Sequence, residues 1–192
     1  MSSDRESLRL SLVFPAYNEG DKIVRSLETV LKFCREELQD FEVLVVDDGS
    51  KDNTAELAAS VDGVRLLRNE VNMGKGKSVR RGMLEADGDV VLFSDVDLAT
   101  PIEETLPLLR AIEDGADVAI ASRHLRGDRD VKRTPFRNAL ATAFRVVVKV
   151  LVLRGIHDTQ CGFKMFRRHA AREVFVLQRL DGWAFDVSFV AP

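Results

Sequence analysis

Cysteine, histidine and long apolar runs are all scarce in this chain of 192 residues. Its two cysteines, Cys34 and Cys161, lie far apart in the sequence, which excludes a disulfide-rich scaffold and favours free thiols in a reducing compartment. Three histidines limit any chemistry that depends on imidazole. No apolar run approaches the roughly 18 residues that a membrane-spanning helix requires, so we expect any membrane contact to be peripheral.

An excess of positive charge is also missing. The formal net charge is -3 at pH 7, so we expect no nucleic-acid partner and expect any basic function to be local. Hydrophobic residues make up 45% of the chain and charged residues 31%, which suits one globular domain of this length. We therefore predict a single domain over residues 1–192.

Short apolar runs alternate with stretches of helical periodicity up to residue 121. The runs predict five buried strands, at 8–14, 41–46, 64–67, 90–93 and 118–121. Apolar residues at three- and four-residue spacing predict an amphipathic helix over 23–38, and we expect further helices after Asp52, Lys75 and Pro101. The alternation is typical of an α/β fold that is Rossmann-like, with three layers (α/β/α) and a mostly parallel central sheet.

Polar loops follow the predicted strands. In open α/β sheets, the loops after the carboxyl ends of the strands build the binding crevice. The loops with distinctive chemistry are 15–20, 47–52, 72–77 and 95–101. We therefore expect the functional groups of these loops to meet at one edge of the sheet.

Asp95 and Asp97 close the fourth predicted strand. Residues two apart on an extended segment project to the same side, so we expect the two carboxylates to converge on one point. A hard cation such as Mg²⁺ or Mn²⁺ is held by one or two carboxylates together with phosphate oxygens of a substrate. The pair therefore predicts a metal site, and the alternative is a solvated acidic turn.

Two further loops carry groups that suit a nucleotide. Asp47 and Asp48 follow the second strand, where exposed carboxylates accept hydrogen bonds from a ribose or a base; the alternative is a tight turn that caps the next helix. The segment 72–78 contains Lys75, but it has the glycine spacing of neither the Walker loop nor the dinucleotide loop. It predicts a weaker anion site, made of backbone N–H groups and lysines at a helix start, or an ordinary glycine-rich turn.

The composition changes after Arg123, where arginine and lysine become dense around an apolar stripe. This pattern resembles an interfacial helix with a basic rim, which would lie among lipid headgroups while Arg133 or Arg137 holds an acceptor phosphate. A helix packed on the domain, with solvated arginines, fits the pattern equally well. We therefore divide the chain into residues 1–122 and an added part, 123–192.

Two short segments near the end combine acids with other functional groups. Asp158, Gln160 and Lys164 bring a carboxylate, an amide and an amine into one polar stretch, although no general chemical motif requires this string. Asp186 stands among aromatic residues, an arrangement that suits a general base. The alternative for Asp186 is a surface or capping aspartate.

Taken together and in order, these segments resemble family 2 glycosyltransferases, and within them the group that transfers glucose or mannose to dolichyl phosphate. The resemblance runs over about 10–190 and rests on the strings FPAYNE at 14–19, VDDGS at 46–50, DVD at 95–97, SR at 122–123, DTQCGFK at 158–164 and WAFD at 183–186. DTQCGFK and WAFD are closest to the glucosyl branch.

The resemblance implies a GT-A fold and a metal-dependent, inverting transfer of a hexose from UDP-glucose to a polyprenyl phosphate in the membrane. It implies a nucleotide-sugar site of Pro15, Tyr17, Glu19, Asp47, Asp48, Lys75 and Asp95. It implies an acceptor and phosphate site of Arg123, Arg133, Arg137, Gln160 and Lys164. The candidate catalytic residues are Asp95, Asp97, Asp158 and Asp186, with Mg²⁺ or Mn²⁺ at Asp95 and Asp97. Residues 1–122 would then be the nucleotide-sugar half, and 123–192 the acceptor half.

Two departures from the family pattern bear on the donor and on the chain length. The glucosyl branch has a glycine after its acidic pair, whereas Leu98 follows here, as in the mannosyl pattern, so GDP-mannose is the alternative donor. Relatives continue beyond Pro192, so we expect a truncated chain that lacks their anchors and lies peripherally on the cytoplasmic face of the membrane. A nucleotidyltransferase and a catalytically silent membrane-surface module are the remaining alternatives.

Overall fold

The computed structural model describes residues 8–121 and 162–177. These residues form one six-stranded sheet in the order β3-β2-β1-β4-β6-β5. The strands are β1 (Leu10–Ala16), β2 (Phe41–Asp47), β3 (Val64–Arg68), β4 (Val90–Ser94), β5 (Val118–Ile120) and β6 (Phe163–Arg167). The first four are mutually parallel, and β6 runs antiparallel to both of its neighbours.

Helices cover both faces of the sheet. They are α1 (Ile23–Glu37), α2 (Thr54–Ser60), α3 (Lys75–Glu85), α4 (Thr105–Glu113), preceded by a 3₁₀ turn at Ile102–Glu104, and α5 (Arg168–Leu177). Apolar residues of α1, α2 and α4 pack on one face of the sheet. Those of α3 and α5 pack on the other. The predicted three-layer α/β/α fold with a mostly parallel sheet is therefore confirmed.

The central strands are buried on both faces, which explains their unbroken apolar runs. Every residue of β1 and of β4 is buried. Successive side chains of a strand point to opposite faces, so Leu12 and Phe14 pack under α1 while Val13 packs under α3. Burial on both sides is characteristic of parallel sheets in α/β proteins.

The five predicted strands are confirmed, with ends that shift by one or two residues. The helices predicted after Asp52, Lys75 and Pro101 are also present. Two elements were not predicted, namely β6 and α5, which follow the polar string that ends at Lys164. The ring of Phe175 in α5 contacts that of Phe166 in β6 edge-on, at 5.5 Å between centroids. This contact ties α5 to the sheet.

The strand order places a topological switch point between β1 and β4. From β1 the sheet grows through β2 to β3 on one side, and through β4 on the other. The loops that follow β1, β2 and β4 therefore leave the same edge of the sheet and diverge, which opens a crevice of the kind that binds ligands in such folds. Within 8–121 and 162–177, no helix is long and apolar enough to cross a bilayer.

Candidate active site

The loop after β1 is fastened to the loop after β2 by side-chain hydrogen bonds. The Asn18 N–H donates to Oγ of Ser50 (2.9 Å), the Lys51 N–H to Oδ1 of Asn18 (2.9 Å), and the Glu19 N–H to Oγ1 of Thr54 (2.8 Å). Asn18 adopts a φ of 53°, a left-handed conformation that asparagine tolerates better than most residues. These hydrogen bonds fix the backbone beside Tyr17, which is 39% exposed at the crevice.

Asp52, which lies just before α2, adds hydrogen bonds between the same two loops. Its carboxylate accepts hydrogen bonds from the Thr54 hydroxyl, the Thr54 N–H (3.0 Å) and the Gly20 N–H (3.1 Å). The Thr54 hydroxyl is the main reason that the pKa of Asp52 lies below its ordinary value. Asp52 therefore holds the two loops together as an ionised group.

Asp48 is buried beneath the crevice rather than exposed in it. Its side chain is 3% exposed and accepts hydrogen bonds from Nδ2 of Asn69 (2.8 Å), the Met73 N–H (2.9 Å) and the Gly74 N–H (2.8 Å). The predicted exposed carboxylate is therefore wrong for Asp48, because this carboxylate satisfies backbone donors of a loop 25 residues away. Its contact with a nucleotide stays a prediction.

Asp47 is buried as well, with 0% exposure. Its Oδ2 lies 3.3 Å from Nε of Arg68, and both of its oxygens lie 3.3 Å from the Ser50 N–H. The predicted exposure of Asp47 is thus also wrong, since the ion pair to β3 and the turn at Ser50 take up the carboxylate. The alternative interpretation of Asp47–Ser50 as a structural turn agrees with these contacts.

Asn69 is the centre of a buried polar network under the loop that precedes α3. Besides Asp48, its Nδ2 donates to Oγ of Ser78 (3.0 Å), and its Oδ1 accepts from Nη1 of Arg81 (2.8 Å). Asn69 is 4% exposed and Ser78 is fully buried. Buried polar groups are nearly always paired, and here one amide side chain links the loop after β2 to two residues of α3.

Gly49 lets the β2 loop and the loop before α3 touch backbone to backbone. Its φ is 70°, and a Cβ at this position would lie 2.6 Å from the carbonyl carbon of Val71. Only glycine combines that conformation with that approach. The contact brings Val71 and Met73, which are 66% and 44% exposed, to the rim of the crevice.

The start of α3 carries the first direct link to the acidic pair. The ammonium of Lys75 forms an ion pair with Oδ1 of Asp95. The amides of Met73 and Gly74 donate to the carboxylate of Asp48, which satisfies these two donors. The anion site that the sequence predicts at the start of α3 stays a prediction. The lysine side chain remains as the group that faces the acidic pair.

Asp95 and Asp97 lie on a turn and not on an extended segment. β4 ends at Ser94, and the Leu98 N–H donates to the Asp95 carbonyl (3.1 Å), so residues 95–98 turn back on themselves. Asp95 is partly buried and Asp97 is exposed, with its Oδ1 accepting from the Ala99 N–H (3.0 Å). The predicted extended geometry is wrong, because Leu98 takes a φ of 50° and closes the turn. Both acids still lie in the turn that follows the carboxyl end of β4.

The strand β6 closes the site on the far side of Asp95. Its first residue, Phe163, pairs with Ser94, so Gly162 lies beside Asp95. Lys164 is 1% exposed, and its Nζ lies 5.4 Å from the centroid of the Phe93 ring. The assignment of Lys164 to phosphate binding stays a prediction for a side chain that is buried in the sheet.

Comparison with known proteins agrees with this architecture. The family model described as "Glycosyl transferase family 2" matches residues 11–175. The chain belongs to this family.

Curated relatives within family 2 are similar over most of the chain. It is 38% identical over 191 residues to a dolichyl-phosphate beta-glucosyltransferase of Trichomonas vaginalis, with 92% of the chain and 57% of the relative covered. It is 34% identical over 205 residues to the dolichyl-phosphate beta-glucosyltransferase of Homo sapiens, with 97% and 63% covered. The chain thus spans about three fifths of the length of these relatives.

Solved structures of similar fold include a glucosyl-3-phosphoglycerate synthase of Mycobacterium tuberculosis. One of these structures, in complex with Mn²⁺, UDP-glucose and phosphoglyceric acid, has a TM-score of 0.65 at 25% identity. The match covers 95% of this chain and 64% of the synthase chain. A complex of the same synthase with Mn²⁺, UDP and glucosyl-3-phosphoglycerate has a TM-score of 0.65 at 23% identity. The likeness supports the GT-A fold that the resemblance implied.

The two carboxylates of the acidic turn fit a cation that also takes ligands from a substrate. Asp95 and Asp97 supply carboxylate oxygens, and the Lys75 ion pair shows that Asp95 turns a carboxylate oxygen towards a cationic group. Among the residues with described positions, no group of three or more His, Cys, Asp or Glu side chains is arranged to hold a metal. Proteins commonly coordinate Mg²⁺ with one or two carboxylates, and phosphate oxygens of the substrate fill further coordination positions.

The remaining predicted site residues divide into those with a described position and those without. Pro15 is buried in β1 opposite Val46. Glu19 is partly exposed, with its Oε2 3.4 Å from Nζ of Lys22. Six predicted site residues and one cysteine lie outside the described residues: Arg123, Arg133, Arg137, Asp158, Gln160, Cys161 and Asp186.

Sequence reasoning missed Asn69 and Gly162, two residues with a close structural relation to the site. Asn69 immediately follows β3, so the rule that polar groups after strands build the crevice was sufficient to single it out. Gly162 stood within a string already noted for its chemistry, but no local pattern indicates that a glycine at this position packs against Asp95.

Proposed function

We propose that this chain is a nucleotide-sugar-dependent hexosyltransferase that moves glucose from UDP-glucose to a dolichyl-type polyprenyl phosphate. The observation that carries the proposal is the meeting of the acidic turn, Lys75 and the Tyr17 loop at the switch point of a family 2 sheet. The names of the curated relatives support glucose and dolichyl phosphate. The UDP-glucose bound by the mycobacterial synthase supports the donor.

The donor would lie across the carboxyl ends of β1, β2 and β4. Tyr17 is an exposed aromatic side chain at this edge and would pack against the nucleotide, while the buried Asp48 keeps the neighbouring loop in place. Glu19 and Pro15 would complete this side of the pocket. Lys75 would reach the diphosphate from the start of α3, where its ammonium already lies beside the acidic turn.

Asp95 and Asp97 would hold Mg²⁺ or Mn²⁺ against the diphosphate. Such a cation would neutralise the negative charge that develops on the departing nucleotide diphosphate. The turn at 95–98 positions the two carboxylates, and Gly162 supports Asp95 from the other side.

The transfer would proceed with inversion in a single displacement. An oxygen of the acceptor phosphate attacks the anomeric carbon and forms the new C–O bond, while the C–O bond to the nucleotide diphosphate breaks on the opposite side of the sugar. A phosphate monoester has a second pKa of about 6, so it is largely dianionic at neutral pH and needs no strong base. Asp158 and Asp186 would therefore orient the acceptor instead of deprotonating it.

The acceptor side would be formed by residues beyond β5. Arg123, Arg133, Arg137, Gln160 and Lys164 would contact the acceptor phosphate or the donor diphosphate. Guanidinium groups suit such contacts because they present paired N–H donors to phosphate oxygens. In this arrangement one domain would work peripherally at the cytoplasmic face of the membrane, with 1–122 binding the donor and 123–192 the acceptor.

Isothermal titration with UDP-glucose and with GDP-mannose, each with and without Mn²⁺, tests the donor assignment. Metal-dependent binding of UDP-glucose alone is the expected result. Transfer of labelled glucose to a short polyprenyl phosphate in detergent then tests the reaction. Failure of both sugar nucleotides to bind in the presence of Mn²⁺ would overturn the proposal in favour of a silent module.

The variant Asp97→Ala distinguishes a metal-dependent enzyme from a catalytically silent module. The variant should lose nearly all transfer while keeping its fold, because the Asp97 side chain is exposed and accepts its hydrogen bond from the Ala99 N–H of its own turn. Asp114→Ala removes an exposed acid at the end of α4 and is the matched control. Full activity of purified Asp97→Ala would contradict the metal assignment.

Leu98 keeps a GDP-mannose-dependent enzyme as the second candidate. This residue follows the acidic pair where the glucosyl branch has a glycine. Exclusive, Mn²⁺-dependent binding of GDP-mannose in the titration would move the chain to the mannosyl branch without changing the roles of Asp95 and Asp97.

A further inference from the structure

The ion pair between Lys75 and Asp95 occupies the carboxylate that would bind the metal. The Lys75 ammonium lies against Oδ1 of Asp95, and their side chains are 20% and 36% exposed. Gly162 closes the opposite side, since a Cβ there would lie 2.5 Å from Oδ2 of Asp95. Asp95 thus has a lysine on one side and the backbone of Gly162 on the other, and an arriving cation meets a carboxylate that already has a positive partner.

The backbone around Lys75 is fixed, so any adjustment falls on the lysine side chain. The amides of Met73 and Gly74 are bound by the buried carboxylate of Asp48. The Lys77 and Ser78 N–H groups donate to the Gly74 carbonyl and continue the chain into α3. A long and flexible side chain on a fixed helix start can exchange one anionic partner for another at little structural cost.

We propose that Lys75 takes the place of the metal ion at Asp95 until a nucleotide diphosphate arrives, so that cation and nucleotide bind cooperatively. The proposal rests on the function proposed above and concerns the order of events at the same site. Asp95 and Asp97 together carry two negative charges, and Lys75 cancels one of them at contact distance. A nucleotide diphosphate offers the ammonium a more highly charged partner and releases Asp95 for the cation, which the phosphates also help to hold.

Coupling of this kind is reciprocal. If the nucleotide raises the affinity for Mn²⁺ by some factor, Mn²⁺ raises the affinity for the nucleotide by the same factor, and such factors are commonly about 5 to 150. Removing the ammonium should therefore increase the affinity for Mn²⁺ in the absence of nucleotide and decrease the coupling factor. A lysine that only binds phosphate, without competing for Asp95, would leave the affinity for Mn²⁺ alone unchanged.

Mn²⁺ binding followed by electron paramagnetic resonance, with and without saturating UDP, tests the competition directly. Lys75→Met keeps most of the length of the side chain and removes its charge, and Lys75→Arg keeps the charge. Lys32→Met is the matched control, because Lys32 lies exposed on α1, where it pairs at the surface with Glu36. Thermal unfolding of each variant checks that the fold is intact.

We expect Lys75→Met to bind Mn²⁺ alone at least about fivefold more tightly than the wild type, and its coupling factor with UDP to fall by a similar amount. Lys75→Arg keeps a positive charge beside Asp95 and should show no such gain in affinity for Mn²⁺ alone, and Lys32→Met should resemble the wild type. The inference is overturned if Lys75→Met binds Mn²⁺ alone no more tightly than the wild type, or if Lys32→Met produces the same gain. Failure of the wild type to bind UDP even with Mn²⁺ would instead count against the proposed function, so the two failures are distinguishable.

Discussion

Gly162 and Asp95 approach each other so closely that no side chain fits between them. A Cβ on Gly162 would lie 2.5 Å from Oδ2 and 3.0 Å from Cγ of Asp95. Neither residue can easily retreat, because the adjacent Phe163 and Ser94 are paired in the ladder between β6 and β4. The position of the Asp95 carboxylate therefore depends on the absence of a methyl group at a residue far along the chain.

Gly162→Ala should weaken Mn²⁺-dependent binding of UDP-glucose by at least about tenfold while the sheet stays folded. The added methyl group must displace the Asp95 carboxylate, and small displacements of reacting or ligating groups have large effects on function. Titration with UDP-glucose and Mn²⁺ measures the loss, and circular dichroism checks the fold.

Gly115→Ala is the matched control for this substitution. No atom lies within 4 Å of a Cβ at Gly115, but its φ of +108° is unfavourable for alanine, so the control should lose stability and keep its affinity for UDP-glucose. Gly162, by contrast, is not among the positive-φ glycines, so its substitution introduces a clash without backbone strain. Equal losses of affinity in both variants would contradict a specific role for Gly162.

The fold of residues 8–121 is predictable because its central strands are buried on both faces. Uninterrupted apolar runs such as 90–93 are typical of strands that helices cover on both sides, and the parallel order then places the loops after these strands at one edge. The positions of Asp95, Lys75 and Tyr17 at that edge agree with this pattern. Their shared location was therefore predictable from the order of strands and loops along the chain.

Three features were not predictable in this way, because each depends on contacts between distant residues or on an unusual backbone conformation. Lys164 is the second residue of β6, and a lysine at a buried position interrupts the apolar run that would otherwise predict a strand. The sequence around Asp48 predicts an exposed carboxylate, but the loop containing Met73 packs over it and donates a hydrogen bond to it. The turn after Asp95 requires a left-handed Leu98, a conformation that sequence patterns predict for glycine and not for leucine.

Asn69→Ala should destabilise the protein by about 2–4 kcal/mol. The amide of Asn69 is 4% exposed, and its loss leaves groups on Asp48, Ser78 and Arg81 without this partner. Removing one member of a buried polar network costs the desolvation of every buried group that it served. Urea unfolding followed by far-UV circular dichroism measures the change.

Asn53→Ala provides the comparison for Asn69. Asn53 is exposed at the start of α2, and its side chain makes no capping hydrogen bond, so the substitution should change stability by less than about 0.5 kcal/mol. A cost for Asn69→Ala as small as that of the control would show that water replaces the amide and that the network is not a single unit.

Cys34 should be inert towards thiol reagents in the folded protein. Burial within α1 raises the pKa of its thiol from 9.0 to about 12, against a smaller lowering by Arg35. At pH 8 this leaves about a thousandfold less thiolate than an exposed cysteine has, and the thiolate is the reactive form. Titration with DTNB in a Cys161→Ser background should detect no thiol until denaturant is added.

The same shift predicts how stability changes at alkaline pH. The folded state keeps the Cys34 proton to higher pH than the unfolded state does. The contribution of this protonated thiol to the free energy of unfolding is therefore full below about pH 9 and is lost as the pH rises towards 12.

For the titration with DTNB, Ser60→Cys places a thiol at the exposed end of α2 and is the positive control. Rapid reaction of native Cys34 would show that α1 opens locally.

Leu98→Gly should leave the free energy of unfolding within about 1 kcal/mol of the wild type. A left-handed conformation costs a residue with a Cβ roughly 1–2 kcal/mol, and glycine removes that cost. The gain offsets the loss of a partly buried side chain that packs against the core. Leu109→Gly in α4 removes a similarly placed leucine from a right-handed helix, so it should cost about 2–3 kcal/mol. Urea unfolding of the two variants makes the comparison.

The effect of Leu98→Gly on donor choice bears on the glucosyl assignment. The backbone of Leu98 already has the conformation that glycine adopts freely, so the turn presenting Asp95 and Asp97 should be the same with either residue. We therefore expect the variant to keep the wild-type preference between UDP-glucose and GDP-mannose in parallel titrations with Mn²⁺. A reversed preference would show that the Leu98 side chain itself contacts the donor, and the leucine would then be evidence for the mannosyl branch rather than a tolerated replacement for glycine.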